Sequence, residues 1–195
     1  MIRSIAVVLA TAISATAFAQ NAHEAMVPFN KTQENAVVAD FDNAPEVVKQ
    51  VLKAQLEKEG LRKIKSSGGY WRSNGSVWNS VSSDKMDFYF RIEGKRNKST
   101  ISVLVSKGYD NFVTSGTDSR TIDNVKNFLN GFGDQLVAYQ KEQDIKAQEE
   151  AVKKAEALQK KAAEQQAKLD KQHAAQQKAL EAERQKLNNI KASTN

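Results

Sequence analysis

The spacing of apolar residues changes along the chain, and each change predicts a different secondary structure. A short apolar run over residues 35–41 predicts a first strand. The next apolar residues recur every three or four positions, as in a helix with one buried face: Val48, Val51, Leu52 and Leu56. Over residues 61–106 the period changes to two, which predicts several antiparallel strands.

The first helix has signals at both ends. Pro45 suits the first helical position, where its missing N–H would have been unpaired. Gly60 can adopt the left-handed conformation that ends a helix, and Leu61 can then pack back against the last turn. These signals predict a helix over residues 45–59.

The alternating strands present two different faces. One face is almost purely apolar and is therefore the predicted buried face: Val77, Val81, Met86, Phe88, Phe90, Ile92, Ile101, Val103 and Val105. Asn74-Gly75 is a common hairpin dipeptide, so we place a tight turn there.

The opposite face is mixed and supplies the candidate site. Trp78, Tyr89 and Leu104, beside Arg91, are predicted to form an aromatic platform for a protein or other cell-envelope partner, since large apolar groups exposed together mark binding surfaces. The alternative is that the leader, a helix or Tyr70 with Trp71 covers these side chains as a second small core. We keep both interpretations open.

A second helix follows a loop over residues 108–117, with Asp118, Ser119 or Thr121 as its cap. Its apolar stripe runs to about residue 137 and is assigned to the core. Gly131 and Gly133 each cost helix stability of about 1 kcal/mol relative to Ala, so we expect a bend or brief break there.

Residues 140–195, which we call the tail, contain no aromatic residue, Gly or Pro and are predicted to be helical. A heptad seam fails, because one core position would hold Gln159, Gln166 and His173. An 11-residue spacing fits better in places, and its members are Leu136, Ala147, Leu158, Leu169 and Leu180. A lone solvated helix and a weak coiled coil both remain open.

The predicted fold class is therefore α+β: an antiparallel sheet with one short and one long C-terminal helix on one face, extended by the tail. The predicted segments are a signal peptide (residues 1–19), a flexible leader (20–33), an α+β domain (34–139) and the tail (140–195). The element order is similar to TBP-like or helix-grip folds. Residues 26–132 also resemble an uncharacterised family of exported bacterial proteins with a charged helical tail, through residues 26–32, 104–112 and 124–131. The resemblance supplies neither an activity nor functional residues for this chain.

The first residues predict export. Arg3, an apolar run and Ala17-Phe18-Ala19 are typical of a cleaved secretory signal, and the apolar run is too short and too polar to span a bilayer. We therefore expect a periplasmic or extracellular protein with no stable membrane insertion after cleavage. The chain has no cysteine, so it forms no disulfide and has no thiol for lipid attachment.

Candidate chemistry is sparse. The formal charge of +6 is mild, which argues against a nucleic-acid partner. The two histidines, His23 and His173, fall in the leader and the tail, so we expect no catalytic residue, metal site or cofactor. The expected function is a noncatalytic exported binding or scaffold protein, with the tail as spacer or oligomerisation arm, a weak homo-oligomer being possible through residues 140–191. The alternatives are a structural envelope component whose tail carries the main interaction and, more remotely, an enzyme of unknown type.

Overall fold

The computed structural model describes residues 21–61, 64–109 and 111–192. The predicted signal peptide lies outside the described residues. The elements in chain order are β1 (His23–Phe29), β2 (Thr32–Phe41), α1 (Pro45–Lys58), β3 (Lys65–Ser67), β4 (Tyr70–Trp78), β5 (Ser82–Lys95), β6 (Lys98–Ser106) and α2 (Ser115–Ala192). The predicted α+β fold class is confirmed.

The six strands form one antiparallel sheet in the order β1-β2-β6-β5-β4-β3. Strands β3 to β6 follow one another as neighbours, while α1 carries the chain from β2 to the far edge. Short loops join the pairs, and Asn30 and Arg96 take the left-handed backbone conformation in two of them, with φ of 55° each. This order places β6 and β5 at the centre, with β2 and β4 on either side of them.

Both helices pack on the same face of the sheet. Alternate side chains of β5 and β6, such as Phe88, Phe90 and Val103, meet Leu52 of α1 and Leu129 of α2 in one buried cluster. The predicted cap of α1 is confirmed: Gly60 has φ of 91°, and the Leu61 N–H donates to the Leu56 carbonyl at 2.8 Å. The helix side of the sheet is therefore the main core.

The prediction of a flexible leader over residues 20–33 is wrong, because residues 23–29 form the edge strand β1. The strand pairs with β2 from His23 opposite Val38 to Phe29 opposite Thr32. Strand β2 in turn pairs with β6 only through residues 37–41. The tip of the β1–β2 hairpin, residues 29–32, therefore lies beyond the part of β2 that pairs with β6. This tip bends over the sheet and brings Phe29 against Tyr70 and Tyr89.

The predicted hairpin at Asn74-Gly75 is also wrong. Strand β4 continues through both residues, and the pairing register with β5 shifts between Ser73 and Ser76. Gly75 has φ of 56°, and its N–H donates to Asp87 Oδ1 at 2.7 Å. Between Ser73 and Ser76, β4 has one residue more than β5 has between their partners, which is a β-bulge with Gly75 in the left-handed conformation. Because side chains alternate along a strand, the extra residue reverses which side chains of β4 face the core after the bulge.

Helix α2 begins with one turn and then has non-helical φ and ψ at Asp118 (−162° and 78°). The Thr121 N–H donates to Asp118 Oδ1 at 3.1 Å, so Asp118 is the cap among the three predicted candidates. The expected break at Gly131 and Gly133 is absent, since α2 runs through both residues. A Cβ at Gly131 would meet no atom within 4 Å, so no close packing requires glycine at this position.

The chain divides into two compact units, the first ending at Tyr139 and the second beginning at Gln140. We call the first unit the head, and the second is the tail as defined above. The change of composition after Tyr139 coincides with this division. In the head, α2 buries Ile122, Val125, Leu129, Phe132 and Leu136, whereas in the tail residues 144–192 are all exposed.

Candidate functional site

Trp78 lies in the main core and not on the predicted binding face. Its ring is fully buried, with edge-to-face contacts to Phe88 (5.3 Å between centroids) and Phe128 (4.8 Å). Its Nε1–H donates to Glu59 Oε2 at 3.1 Å, which satisfies the indole's one polar group. The bulge at Gly75 explains the correction, because it turns Trp78 inward and leaves Val77, predicted to be buried, 36 % exposed.

Tyr89 and Leu104 do lie together on the second face of the sheet, but both are buried there. They are covered by Phe29 at the tip of the β1–β2 hairpin and by Phe112. The Phe29 ring centroid is 4.8 Å from that of Tyr89, 5.0 Å from that of Phe112 and 5.2 Å from that of Tyr70. The hairpin tip therefore closes a second, smaller core.

Two arginines stack on this second core. Arg91, the fourth predicted site residue, is half-buried with its guanidinium 5.5 Å from the Tyr70 ring centroid, and it pairs with Glu93. A hydrogen bond to the Tyr70 hydroxyl, together with the charge of Glu93, raises the pKa of Arg91. Arg72 lies 5.6 Å from the Tyr89 ring centroid, and among the described residues its buried Nε has no hydrogen-bond partner. Both guanidinium groups therefore lie within the distance of a cation–π interaction with these rings.

The predicted platform of Trp78, Tyr89, Arg91 and Leu104 is therefore not an open surface. The alternative of a covered second core agrees with the structure, and the segment predicted to be the leader supplies the cover. A signal for this was present in the sequence: Ala25, Val27 and Phe29 alternate with other residues in the period of a strand. All three pack in or against the second core.

A polar cluster around Glu24 ties β1 to the start of α2. The Glu24 carboxylate accepts hydrogen bonds from Asn35 Nδ2 at 3.0 Å and from the Ser115 N–H at 3.0 Å, and it pairs with Lys126 Nζ at 3.3 Å. Burial opposes ionisation of Glu24 and raises its pKa, but these donors together outweigh burial and lower the pKa below its ordinary value. The cluster gives β1 a polar attachment in addition to its apolar one.

The remaining candidate surface is on the tail. Leu158, Leu169, Leu180 and Leu187, which we call the leucine row, are 67 %, 49 %, 56 % and 51 % exposed. At 3.6 residues per turn these four positions lie within about 40° of one another around the helix. The tail therefore presents a line of four leucines along one side of the helix, while Ile145 and Val152 are exposed on another side.

No group of three or more His, Cys, Asp or Glu side chains among the described residues is placed to hold a metal ion. His23 is exposed at the start of β1, where its Nδ1 lies 3.1 Å from the Asn21 carbonyl oxygen, and His173 is exposed on the tail. Within the same part of the chain, no helix is both long enough and apolar enough to cross a membrane.

The chain was also compared with known proteins. No protein family model, curated protein or solved structure matches it.

Proposed function

We propose that the protein is a noncatalytic exported scaffold protein of the cell envelope or its surroundings, in which the tail carries the main interaction. The observation that carries this proposal is the leucine row, four large apolar side chains that are all about half exposed or more. The head supports it by contrast, since its candidate binding residues Trp78, Tyr89 and Leu104 are all buried. Export belongs to the same proposal and rests on residues 1–19. Kinship with the exported bacterial family also belongs to it and rests on residues 26–32, 104–112 and 124–131.

The energy available from the leucine row sets the expected strength of the contact. Full burial of a leucine side chain stabilises a contact by about 1.5–3 kcal/mol, so four side chains that are half exposed contribute several kcal/mol on one partner. Association costs about 4–15 kcal/mol in lost freedom. The contact is therefore expected to be weak and reversible, as suits a component that bridges parts of an envelope.

The test is capture of cross-linked partners from the native envelope with three forms of the protein. One is the intact chain, the second ends at Tyr139, and the third keeps the tail but carries glutamine at all four positions of the leucine row. We expect the intact chain to recover partners that both altered forms lose. Circular dichroism and a urea unfolding curve of the head serve as controls for folding.

Two other outcomes would change the proposal. If the form ending at Tyr139 kept every partner, the head would be the binding module and the tail a spacer. If the glutamine form kept the partners that the truncated form loses, the tail would bind through its polar faces and the leucine row would not be the contact.

A further inference from the structure

Three of the four leucines in the leucine row repeat with an 11-residue period. Leu158, Leu169 and Leu180 are 11 residues apart, Ala147 lies one period earlier, and Leu187 follows Leu180 by seven. Eleven residues make three turns at 3.67 residues per turn, close to the 3.6 of a straight α-helix, so the row stays on one side with little supercoiling. The row from Leu158 to Leu187 is about 44 Å long at 1.5 Å per residue.

This length and spacing decide between kinds of partner. A compact groove that takes up an amphipathic helix binds apolar anchors within about two turns, at spacings of three, four and seven residues. Leu158, Leu169 and Leu180 are about 16.5 Å apart from one to the next, so such a groove covers at most the C-terminal end of the row, Leu180 and Leu187 with Ile190. It leaves Leu158 and Leu169 exposed. A second long helix with the same period can contact all four. A second copy of this chain supplies such a helix.

The charges along the tail favour opposite chain directions. Residues 140–156 carry five acidic and four basic side chains, whereas residues 157–192 carry four acidic and eight basic ones. With a twofold axis near Leu169, an antiparallel pair overlaps residues 146–156, which carry three acidic and three basic side chains, with residues 182–192, which carry one acidic and three basic ones. A parallel pair in register would instead place the net positive residues 182–192 of both copies side by side, which like charges disfavour.

We propose that two copies of the protein pair antiparallel through the leucine row, with a twofold axis near Leu169. This inference rests on the proposed function, since both assign the interaction to the tail. Leu158 then faces Leu180 of the second copy, and the small Ala151 faces its Leu187. Such pairing of a large with a small side chain lets two helices approach closely.

The flanks of the row fit the same arrangement. Glu150 comes near Lys186 of the second copy, and Lys154 comes near its Glu183. Within one chain Lys186 and Glu183 already pair at 3.0 Å, but both side chains are about 70 % exposed. An exposed pair of this kind contributes little, so exchange for a partner across the interface is not costly.

The chain contains no cysteine, so single cysteines report the arrangement without removing native thiols. Full-length Leu158→Cys and full-length Leu180→Cys, distinguishable by a size tag, are mixed and oxidised. A direct disulfide needs Cα atoms within about 7 Å, whereas two Leu158 positions are about 33 Å apart in the antiparallel pair. We expect the mixed disulfide to form at least about tenfold faster than a disulfide between two Leu158→Cys chains.

The control is Ala167→Cys, which lies about 160° around the helix from Leu169. If Leu158→Cys joined to itself as readily as to Leu180→Cys, the antiparallel arrangement would be wrong. Cross-linking at the rate of Ala167→Cys in every mixture would overturn self-association through this row.

A second measurement does not depend on cysteine. Sedimentation equilibrium is measured for the full chain and for two triple variants that keep the helix. The leucine variant combines Leu158→Gln, Leu169→Gln and Leu180→Gln. The alanine variant, which changes the opposite side of the helix, combines Ala163→Gln, Ala167→Gln and Ala174→Gln. We expect the leucine variant to raise the dimer dissociation constant by about tenfold or more and the alanine variant to leave it nearly unchanged. Equal effects of the two variants would overturn the proposal. A monomeric chain whose tail is still needed to capture envelope partners would refute the pairing and leave the proposed function intact.

Discussion

The two parts of α2 contain similar apolar residues, yet one part buries them and the other does not. In the head the apolar residues of α2 recur at spacings of three and four and are nearly inaccessible to solvent: Ile122, Val125, Leu129, Phe132 and Leu136. In the tail the leucines recur every seven or eleven residues and are 49–67 % exposed.

The difference shows that the density of apolar residues along a helix face decides whether that face can pack into a core or can make only a weak contact. Five side chains in about four turns form a continuous stripe, and the sheet offers a matching apolar surface. One leucine every two or three turns forms an interrupted line, which buries too little to hold a sheet or a tight partner. The same helix can therefore be core in one part and a weak contact surface in the other.

The largest expected effect tests the buried side of this comparison. Trp78→Ala removes a ring that packs on Phe88 and Phe128, and we expect the free energy of unfolding of the head to fall by about 3–5 kcal/mol in urea denaturation. Leu169→Ala in the tail is the control, with an expected change within about 0.5 kcal/mol. Wild-type stability for Trp78→Ala would show that the ring is not part of the core.

The next effect concerns the cover of the second core. Phe29→Ala removes the ring that contacts Tyr70, Tyr89 and Phe112, and we expect a loss of about 3 kcal/mol, measured in the same way. Met26→Ala on the same strand is the matched control, because Met26 is 61 % exposed and its loss leaves no cavity. Similar losses for both variants would mean that β1 acts through its strand pairing and not through Phe29.

A smaller effect tests the start of α2. Asp118→Ala removes the cap and is expected to cost about 1 kcal/mol, whereas Asp118→Asn keeps a capping oxygen and costs less. The Thr121 N–H and Lys107 lower the pKa of Asp118 in the folded state, so its ionisation stabilises the fold above the unfolded pKa. That contribution disappears as the pH falls from about 4 through the folded pKa.

The pH dependence of unfolding for Asp118→Asn separates the contribution of the capping hydrogen bond from that of the Asp118 charge. We expect unfolding curves of Asp118→Asn between about pH 5 and pH 2 to show a weaker loss of stability on acidification than those of the wild type. The remaining loss includes that of Glu24, whose pKa is also lowered in the folded state. An acid dependence identical to that of the wild type would show that the Asp118 charge does not contribute.

The smallest expected effect is a gain. Gly131→Ala lies inside α2, where an added Cβ meets no atom within 4 Å, and we expect the head to be more stable by about 0.5–1 kcal/mol. Ala163→Gly in the tail is the counterpart. It should lower the helical signal in circular dichroism without changing the unfolding of the head, and a shift in that unfolding would show that the two units are coupled.

Local signals predicted a large part of the fold. The ends of α1 follow from Pro45 and Gly60, because both act through backbone geometry within a few residues. The alternation along β5 and β6 placed Phe88, Phe90 and Val103 correctly on the helix face, since side chains in a strand alternate without outside help. The division after Tyr139 coincides with a change in composition that needs no tertiary contact to be seen.

The candidate site was predicted less well because it depends on contacts far apart in the chain. The dipeptide Asn74-Gly75 suits both a hairpin and a bulge, and pairing with β5 selects the bulge and turns Trp78 inward. Whether Tyr89 and Leu104 are open or covered depends on Phe29, about 60 and 75 residues earlier, which reaches them only because the hairpin bends over the sheet.

The amino-acid pattern alone determines the ends of α1, the alternation along β5 and β6 and the point where the core-forming composition ends, because propensity, capping and periodicity act over a few residues. The register at Gly75, the second core beneath Phe29 and the choice of Asp118 as the cap of α2 are decided by tertiary structure. Each of these is a choice between local conformations of similar energy, and the burial or hydrogen bonding gained with distant residues selects one of them.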